Sequence, residues 1–284
     1  MQRIHSDIQM LKLAMLAAAV FTIMIYYGTY DESFATVQTD QNSPQQQQQQ
    51  KPNIDASALF DSHTMVLGNN VKNLVILIPN EAHESTNQAA NQYPLANQPY
   101  LPQNAVVNTG TTVIWFNGDV DHDHTINMVQ GNSIPSSETE SSTPAAAVFD
   151  SGSFEYNTAS TTETFNDTGT YTYYEKDVNE DDPAFVMNGT VTVINQPESL
   201  SLSSGDGSDT VGVLMVPTQD IQTYTTDLQN RGFAIESTHN FKDIRGGQSG
   251  TGDEQTLIVW TTSGMTLSDI ATNLQEFTPR LPYS

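Results

Sequence analysis

Short apolar runs recur along the chain between residues 59 and 195, each closed by turn-forming residues. "NLVILIPN" (73–80) is a compact apolar run stopped by Pro79 and Asn80. "NAVVNTGTTVIWFNGD" (104–119) reads as two strand pieces around a Thr-Gly turn, and "HTINMV" (124–129) alternates. "AAAVFDSG" (145–152), "TTETFNDTG" (161–169), "TYTYY" (170–174) and "GTVTVI" (189–194) continue the series. Short strands between Gly, Asn and Asp turns predict a mainly β domain, a sandwich or barrel, over 59–195. Residues 81–103, rich in Asn, Gln and Pro, make a loop longer than a hairpin needs. Long loops on rigid sandwiches are often functional.

The pattern changes after residue 195. "NQPESLSLSSGDGSD" (195–209) is a polar linker, and the chain beyond it reads βαββα. "VGVLMV" (211–216) is a buried strand. A helix with Ile221, Tyr224 and Leu228 on one face is expected next, capped by Thr218 and stopped by Gly232. "FAIES" and "TLIVWTT" are strands, and a last helix places Leu267, Ile270, Leu274 and Phe277 on one face before Pro279. Residues 210–284 are thus expected to form a small α+β domain after a linker at 196–209. "RGGQSGTGDE" (245–254) lacks the Gly-Lys-Ser/Thr of a phosphate loop and reads as a flexible hairpin.

The N-terminus follows neither period. Arg3 and Lys12 precede an apolar run over 13–27. At ~1.5 Å per residue, a helix over 11–30 is about 30 Å long, enough to cross a bilayer. Lys12 suits the inner interface, and Tyr26, Tyr27 and Tyr30 the outer one. Basic residues before the span and Asp31 and Glu32 after it put the bulk of the chain outside the cytoplasm. Residues 1–30 are therefore expected to be a single-pass membrane anchor, with a cleaved signal peptide as the rival reading. Residues 31–58 include "QQQQQQ" and bury too little apolar surface to fold, so they read as a tether.

Composition narrows the function. The 284 residues carry 33 acids against 9 basic residues, a net charge of −24. Nucleic acid and anionic lipid both call for clustered Lys and Arg, so neither is an expected partner through a basic patch. There is no cysteine, which excludes disulfides, thiolate nucleophiles, Cys-ligated zinc and iron–sulfur clusters. No Gly-x-Ser-x-Gly or other catalytic constellation is legible. Asn166-Asp167-Thr168 and Asn188-Gly189-Thr190 fit the glycosylation sequon, in agreement with an exported chain, although such triplets also arise by chance in Asn/Thr-rich sequence.

Candidate chemistry concentrates in the β domain. "GDVDHDHTINM" holds His122 and His124 two residues apart, among Asp119, Asp121 and Asp123. On an extended strand the two imidazoles project to one side, a way to offer both to one metal, with carboxylates as outer partners. The plain alternative is a solvated acidic turn. A second acidic stretch comes after "GTYTYY": Glu175, Asp177, Glu180, Asp181 and Asp182 against Lys176. Asp177, Asn179 and Asp181 have the spacing that opens a calcium loop, but position six is Asp182 rather than Gly and position twelve Asn188 rather than Glu.

Taken in order, "VVNTGTTVIWFNGD…HTINM", "FDSG" and "GTYTYY…MNGTVTV" resemble the cupredoxins, the plastocyanin-like blue copper domains, and exported archaeal members show similar wording. The resemblance covers residues 70–195, about half the chain, and implies a Greek-key cupredoxin-like β-sandwich. It implies that His124 stands at the first copper histidine and Met187 at the axial methionine. It also shows a departure. Glu175 stands where the family has its copper cysteine, and Val178 where it has its second histidine. The loop between is about six residues longer than the usual pattern. A blue site needs the thiolate, so blue-copper electron transfer is not expected.

These residues support two functions, beside a copper enzyme for which no substrate pocket can be read from the sequence. The first is a membrane-anchored, outward-facing cupredoxin-like protein with a non-blue copper site for copper handling or redox support of a membrane enzyme. His124 and Glu175 are its core, helped by His122, His83 or Met187, with zinc or calcium as other metals. The second is a metal-free binding or structural module that uses the acidic loop and the C-terminal domain to hold a protein partner. Glu175 discriminates: inward toward His124 favours the first, outward to solvent the second.

Overall fold

The computed structural model describes residues 54–59, 62–80, 82, 98–120, 122–131, 147–175, 187–195, 209–243 and 253–277. The expected anchor, most of the tether, His83 and the acidic loop at 176–186 lie outside them. Among the described residues no helix is long and apolar enough to cross a membrane.

The described chain is mainly β. In order it forms β1 (Ile54–Asp55), β2 (Thr64–Leu67), β3 (Val71–Ile78), β4 (Asn104–Asn108), β5 (Thr111–Asn117), β6 (His124–Gln130) and β7 (Phe149–Phe154). Then come β8 (Glu163–Phe165), β9 (Gly169–Glu175), β10 (Asn188–Ile194), β11 (Asp209–Pro217), β12 (Ala234–Asp243) and β13 (Asp253–Thr262). Two helices, α1 (Ile221–Asn230) and α2 (Leu267–Gln275), flank β12 and β13 in sequence.

The strands make two sheets. One runs β1-β2-β4-β10-β9-β6-β7, the other β12-β13-β11-β3-β5-β8. They face each other through aromatic rings: Trp115 of β5 meets Tyr173 of β9 at 5.3 Å and Phe149 of β7 at 5.6 Å. Such contacts add to the area burial of large rings, which dominates core energetics. The Thr-Gly turn at 109–110 joins two strands as expected, but β4 and β5 lie in different sheets. Gly110, at φ +85°, supplies the left-handed backbone that carries the chain across.

β3 explains its own sequence. Six consecutive residues, Asn73 to Ile78, are buried, and a strand buried on both faces reads as a continuous apolar run rather than an alternating one. Its two neighbours, β5 and β11, both run parallel to it. Val75, Ile114 and Phe116 line an apolar crevice with Leu267, Ile270 and Leu274 of α2.

The βαββα order after residue 209 is present, and β11 is hydrogen-bonded to β3, so these strands continue a sheet of the sandwich. Ile54 and Asp55, expected in the tether, already pair with Leu67 and Val66. The Thr218 cap is corrected. Residues Thr218–Asp220 form a 3-10 turn, and α1 starts from Asp220 without a side-chain cap. The Thr218 hydroxyl accepts instead from Thr256 Oγ1 (3.0 Å), across to β13. α2 has the cap that α1 lacks: Thr266 and Asp269 form a reciprocal capping box.

Candidate functional site

β5 ends at Asn117, residues 118–120 and 122–123 lie in the turn, and β6 begins at His124. Side-chain and backbone bonds hold this turn. Asn117 Nδ2 donates to the His122 carbonyl (2.8 Å), and its Oδ1 accepts from Asp119 N–H (2.8 Å). Val120 N–H donates to Asn80 Oδ1 (3.1 Å), and Gly118 N–H to the Ile78 carbonyl (2.8 Å). An Asn that bonds both sides of a turn fixes its path. The consequence is that the Asp119 carboxylate, wholly buried, points at His124.

β9 brings the other half. Ile126 pairs with Glu175 in the β6–β9 ladder, which sets Glu175 beside the start of β6. Its side chain turns inward. Glu175 Oε2 lies 2.6 Å from His124 Nδ1, and Oε1 accepts from Thr125 N–H at 3.2 Å. Asp119 Oδ2 lies 3.3 Å from His124 Nε2. His124 and Glu175 are buried as well. The site is one imidazole held between two carboxylates from two chain segments.

Burial alone would lower the proton affinity of His124. The hydrogen bonds from Asp119 and Glu175 and their charges outweigh it, and the pKa stands at about 9 against an ordinary 6.5. At neutral pH the ring is an imidazolium that donates from both nitrogens. Three buried charges of alternating sign satisfy one another, which is the condition for keeping them out of water. Tyr100 lies close enough to respond: burial first, then the Glu175 charge and Tyr173, push its phenol well above the ordinary range.

The structure brings His124 and Glu175 together and adds Asp119, which the sequence offers only as one of three nearby aspartates. The pairing of His122 with His124 on one strand face is corrected. β6 starts at His124, so His122 sits in the turn, half-exposed, with Nδ1 2.9 Å from the Val120 carbonyl and 3.8 Å from Asp119 Oδ1. Met187 is buried, and its carbonyl accepts the Glu175 N–H at 3.1 Å. His83, Asp177, Asn179 and Asp181 lie outside the described residues. Tyr100 escapes a reading of the sequence. It lies in the long loop 81–103 with no periodic pattern around it, and only packing against Tyr173, ring centroids 5.0 Å apart, reveals it.

Copper, which the sequence resemblance implies, was tested against this donor set. Two donors on one metal with bonds of about 2.0 Å stand about 2.8 Å apart at the right angles of a tetragonal Cu(II) site and about 3.3 Å apart in a tetrahedral one. The 2.6 Å between His124 and Glu175 is a charge-assisted hydrogen bond instead. Among the described residues no group of three or more His, Cys, Asp or Glu side chains is arranged to hold a metal ion. The residues as placed do not fit copper.

The described chain is thus a mainly β, two-sheet protein with a buried carboxylate–imidazolium–carboxylate cluster. No protein-family model and no curated protein matches it. Solved structures do. Reduced rusticyanin is 13% identical over 47% of this chain and 85% of its own, at a TM-score of 0.33. Auracyanin from Roseiflexus castenholzii is 17% identical over 43% and 97%, at 0.29. A variant of amicyanin in its Cu(I) form is 25% identical over 32% and 70%, at 0.23.

Proposed function

We propose that the chain is a membrane-anchored, outward-facing protein of cupredoxin-like fold that works as a metal-free binding or structural module. The buried imidazolium cluster closes the position where the resembled family keeps copper. One observation carries this reading: both ring nitrogens of His124 already face carboxylates, Glu175 at 2.6 Å and Asp119 at 3.3 Å. An imidazolium has no lone pair to give a metal. The thiolate that blue-copper electron transfer requires is missing from the whole chain. The apolar run at 13–27 and its flanking charges support the anchor and its orientation. The partner is a protein rather than a nucleic acid, met through the acidic loop after Glu175 and the C-terminal strands.

A second reading keeps a metal. Its support is Glu175, which turns inward toward His124, the outcome expected of the metal site, although it does so as a 2.6 Å hydrogen bond. Two buried carboxylates around one imidazole call for a cation, and a divalent ion can compete with the proton. Nitrogen and oxygen donors suit Cu(II) or Zn(II). For this His124 and Glu175 must move apart, and further ligands must come from His122, Met187, His83 or the acidic loop.

The test is metal analysis of the full chain, purified without chelator or tag histidines. A Cu(II) titration at pH 7 comes next, read by EPR and visible absorption. The module reading expects no stoichiometric metal, and weak copper uptake that Glu175→Gln leaves unchanged. One copper per chain, with a non-blue spectrum abolished in both His124→Ala and Glu175→Gln, would replace the first reading by the second.

A further inference from the structure

The two Asn-x-Thr triplets are treated oppositely by the fold. Asn166, Asp167 and Thr168 are all exposed, in the turn between β8 and β9. The feet of that turn are fixed. Phe165 is buried, its carbonyl accepts the Gly110 N–H at 2.7 Å, and its ring meets Tyr171 edge-on at 5.0 Å. The Tyr171 hydroxyl donates to the Asp167 carbonyl at 3.1 Å. The reactive groups at the tip are not committed. Among the described residues the Asn166 carboxamide reaches only the Thr164 carbonyl, at 3.5 Å, the outer limit of a hydrogen bond. The Thr168 hydroxyl makes no hydrogen bond among the described residues.

Asn188 is the reverse case. It opens β10 and pairs with Tyr174 of β9, and its carbonyl accepts from Gln103 Nε2 at 2.9 Å. Gly189 lies so close to the Gln103 carbonyl and the Tyr173 ring that even a Cβ would collide with them. The Thr190 hydroxyl, the group a sequon must present, is donated to Asn104 Oδ1 at 2.8 Å. A transferase cannot lift this segment without opening the β9–β10 and β4–β10 ladders.

We infer that Asn166 is an N-linked glycan acceptor of this chain and that Asn188 is not. The inference rests on the outward-facing part of the proposed function, because the sequon is read on exported chains. The donor is an oligosaccharide carried on a polyisoprenyl phosphate or pyrophosphate. Asn166 Nδ2 attacks the anomeric carbon of the first sugar. The C–N bond forms as the bond from that carbon to the carrier's phosphate oxygen breaks. The carrier leaves as its phosphate or pyrophosphate, whichever bore the sugar, Nδ2 gives up one proton to solvent, and nothing is oxidised or reduced. Asn166 directly follows β8, the edge strand of its sheet. A bulky polar group there also shields that edge from other strands.

The experiment is glycopeptide mass spectrometry of the full chain, taken from the membranes of a cell that makes such donors. Protease shaving of the intact cells reports topology on the same sample. The peptide bearing Asn166 is expected to gain the glycan mass, and the peptide bearing Asn188 to remain bare. Asn166→Gln and Thr168→Ala abolish the modification, Thr168→Ser keeps it, and Asn188→Gln changes nothing. With a solubilised transferase and donor, urea-unfolded chain takes sugar at both sites and folded chain at Asn166 alone. A shaved, outward chain with bare Asn166 would overturn the glycan assignment while leaving the topology standing. A chain protected from protease would overturn both. Equal modification of Asn188 in the folded chain would overturn the selection by the fold.

Discussion

At the scale of single residues, His124 adds a pH dependence to the stability of the protein. Its affinity for the proton is raised in the folded state, to a pKa of about 9 from 6.5. The stabilisation is therefore complete below about pH 6.5 and is lost as pH rises through about 9, on the order of 3 kcal/mol in all. Urea midpoints measured from pH 6 to 10 should fall across that window, and the fall should vanish in His124→Phe. A flat profile in the unmodified chain would show that the ring is neutral when folded. Glu175→Gln leaves a buried imidazolium with one charged partner and should cost about 3–5 kcal/mol. Replacing Asp119, His124 and Glu175 together by apolar residues should cost less than Glu175→Gln alone, because no buried charge is then left unpaired. A triple variant less stable than the single one would argue that the cluster does more than cancel its own burial.

At the scale of elements, strand existence was legible and strand company was not. The runs at 104–119, 124–129, 170–174 and 189–194 gave strands near their expected bounds, since apolar alternation ended by Gly or Asn is a local signal. Which sheet each strand joins depends on residues far away in sequence, so nothing local announced that β4 and β5 part at Gly110. The same holds for the site. His124 and Glu175 were legible through motif order. Asp119 was picked out from Asp121 and Asp123 only by the Asn117 bonds that shape the turn, and Tyr100 only by packing. Close approaches between elements mark further tests. Gly212 of β11 lies directly opposite Trp260 of β13, and a Cβ there would meet the indole. Gly212→Ala should lose about 1–3 kcal/mol through overpacking, seen as a lower urea midpoint with unchanged slope. An unchanged midpoint would mean that the Trp260 ring has room to shift.

At the scale of the whole molecule, the two tryptophans report on two regions of one sheet. Trp115 lies in β5 and Trp260 in β13, both fully buried, with β3 and β11 between their strands. Single-tryptophan variants, Trp115→Phe and Trp260→Phe, should show coincident fluorescence transitions in urea, because the hydrogen-bonded β3–β11 rung couples the regions. Separated transitions would mean that the C-terminal strands melt as a domain of their own, in line with the division at 196–209 that the polar linker suggests. That continuity was hidden in the sequence by the linker itself, whose composition carries no information about where the chain returns.

The β3–β11 contact also orders events in time. Asn73 Nδ2 donates to Thr210 Oγ1 at 3.0 Å, across a separation of 137 residues. A chain made from its N-terminus therefore completes β3 long before the strand that covers its side exists. Contacts so distant in sequence are reached late, after much loop entropy has been lost. During that interval the strand with the longest apolar run in the sandwich offers an open edge to any strand that drifts past. A ribosome stalled ahead of residue 209, or a protease cut in the linker before the cover is seated, would release a chain prone to pair with its copies. The C-terminal strands are thus the last-made cover of an edge that stands open until they arrive.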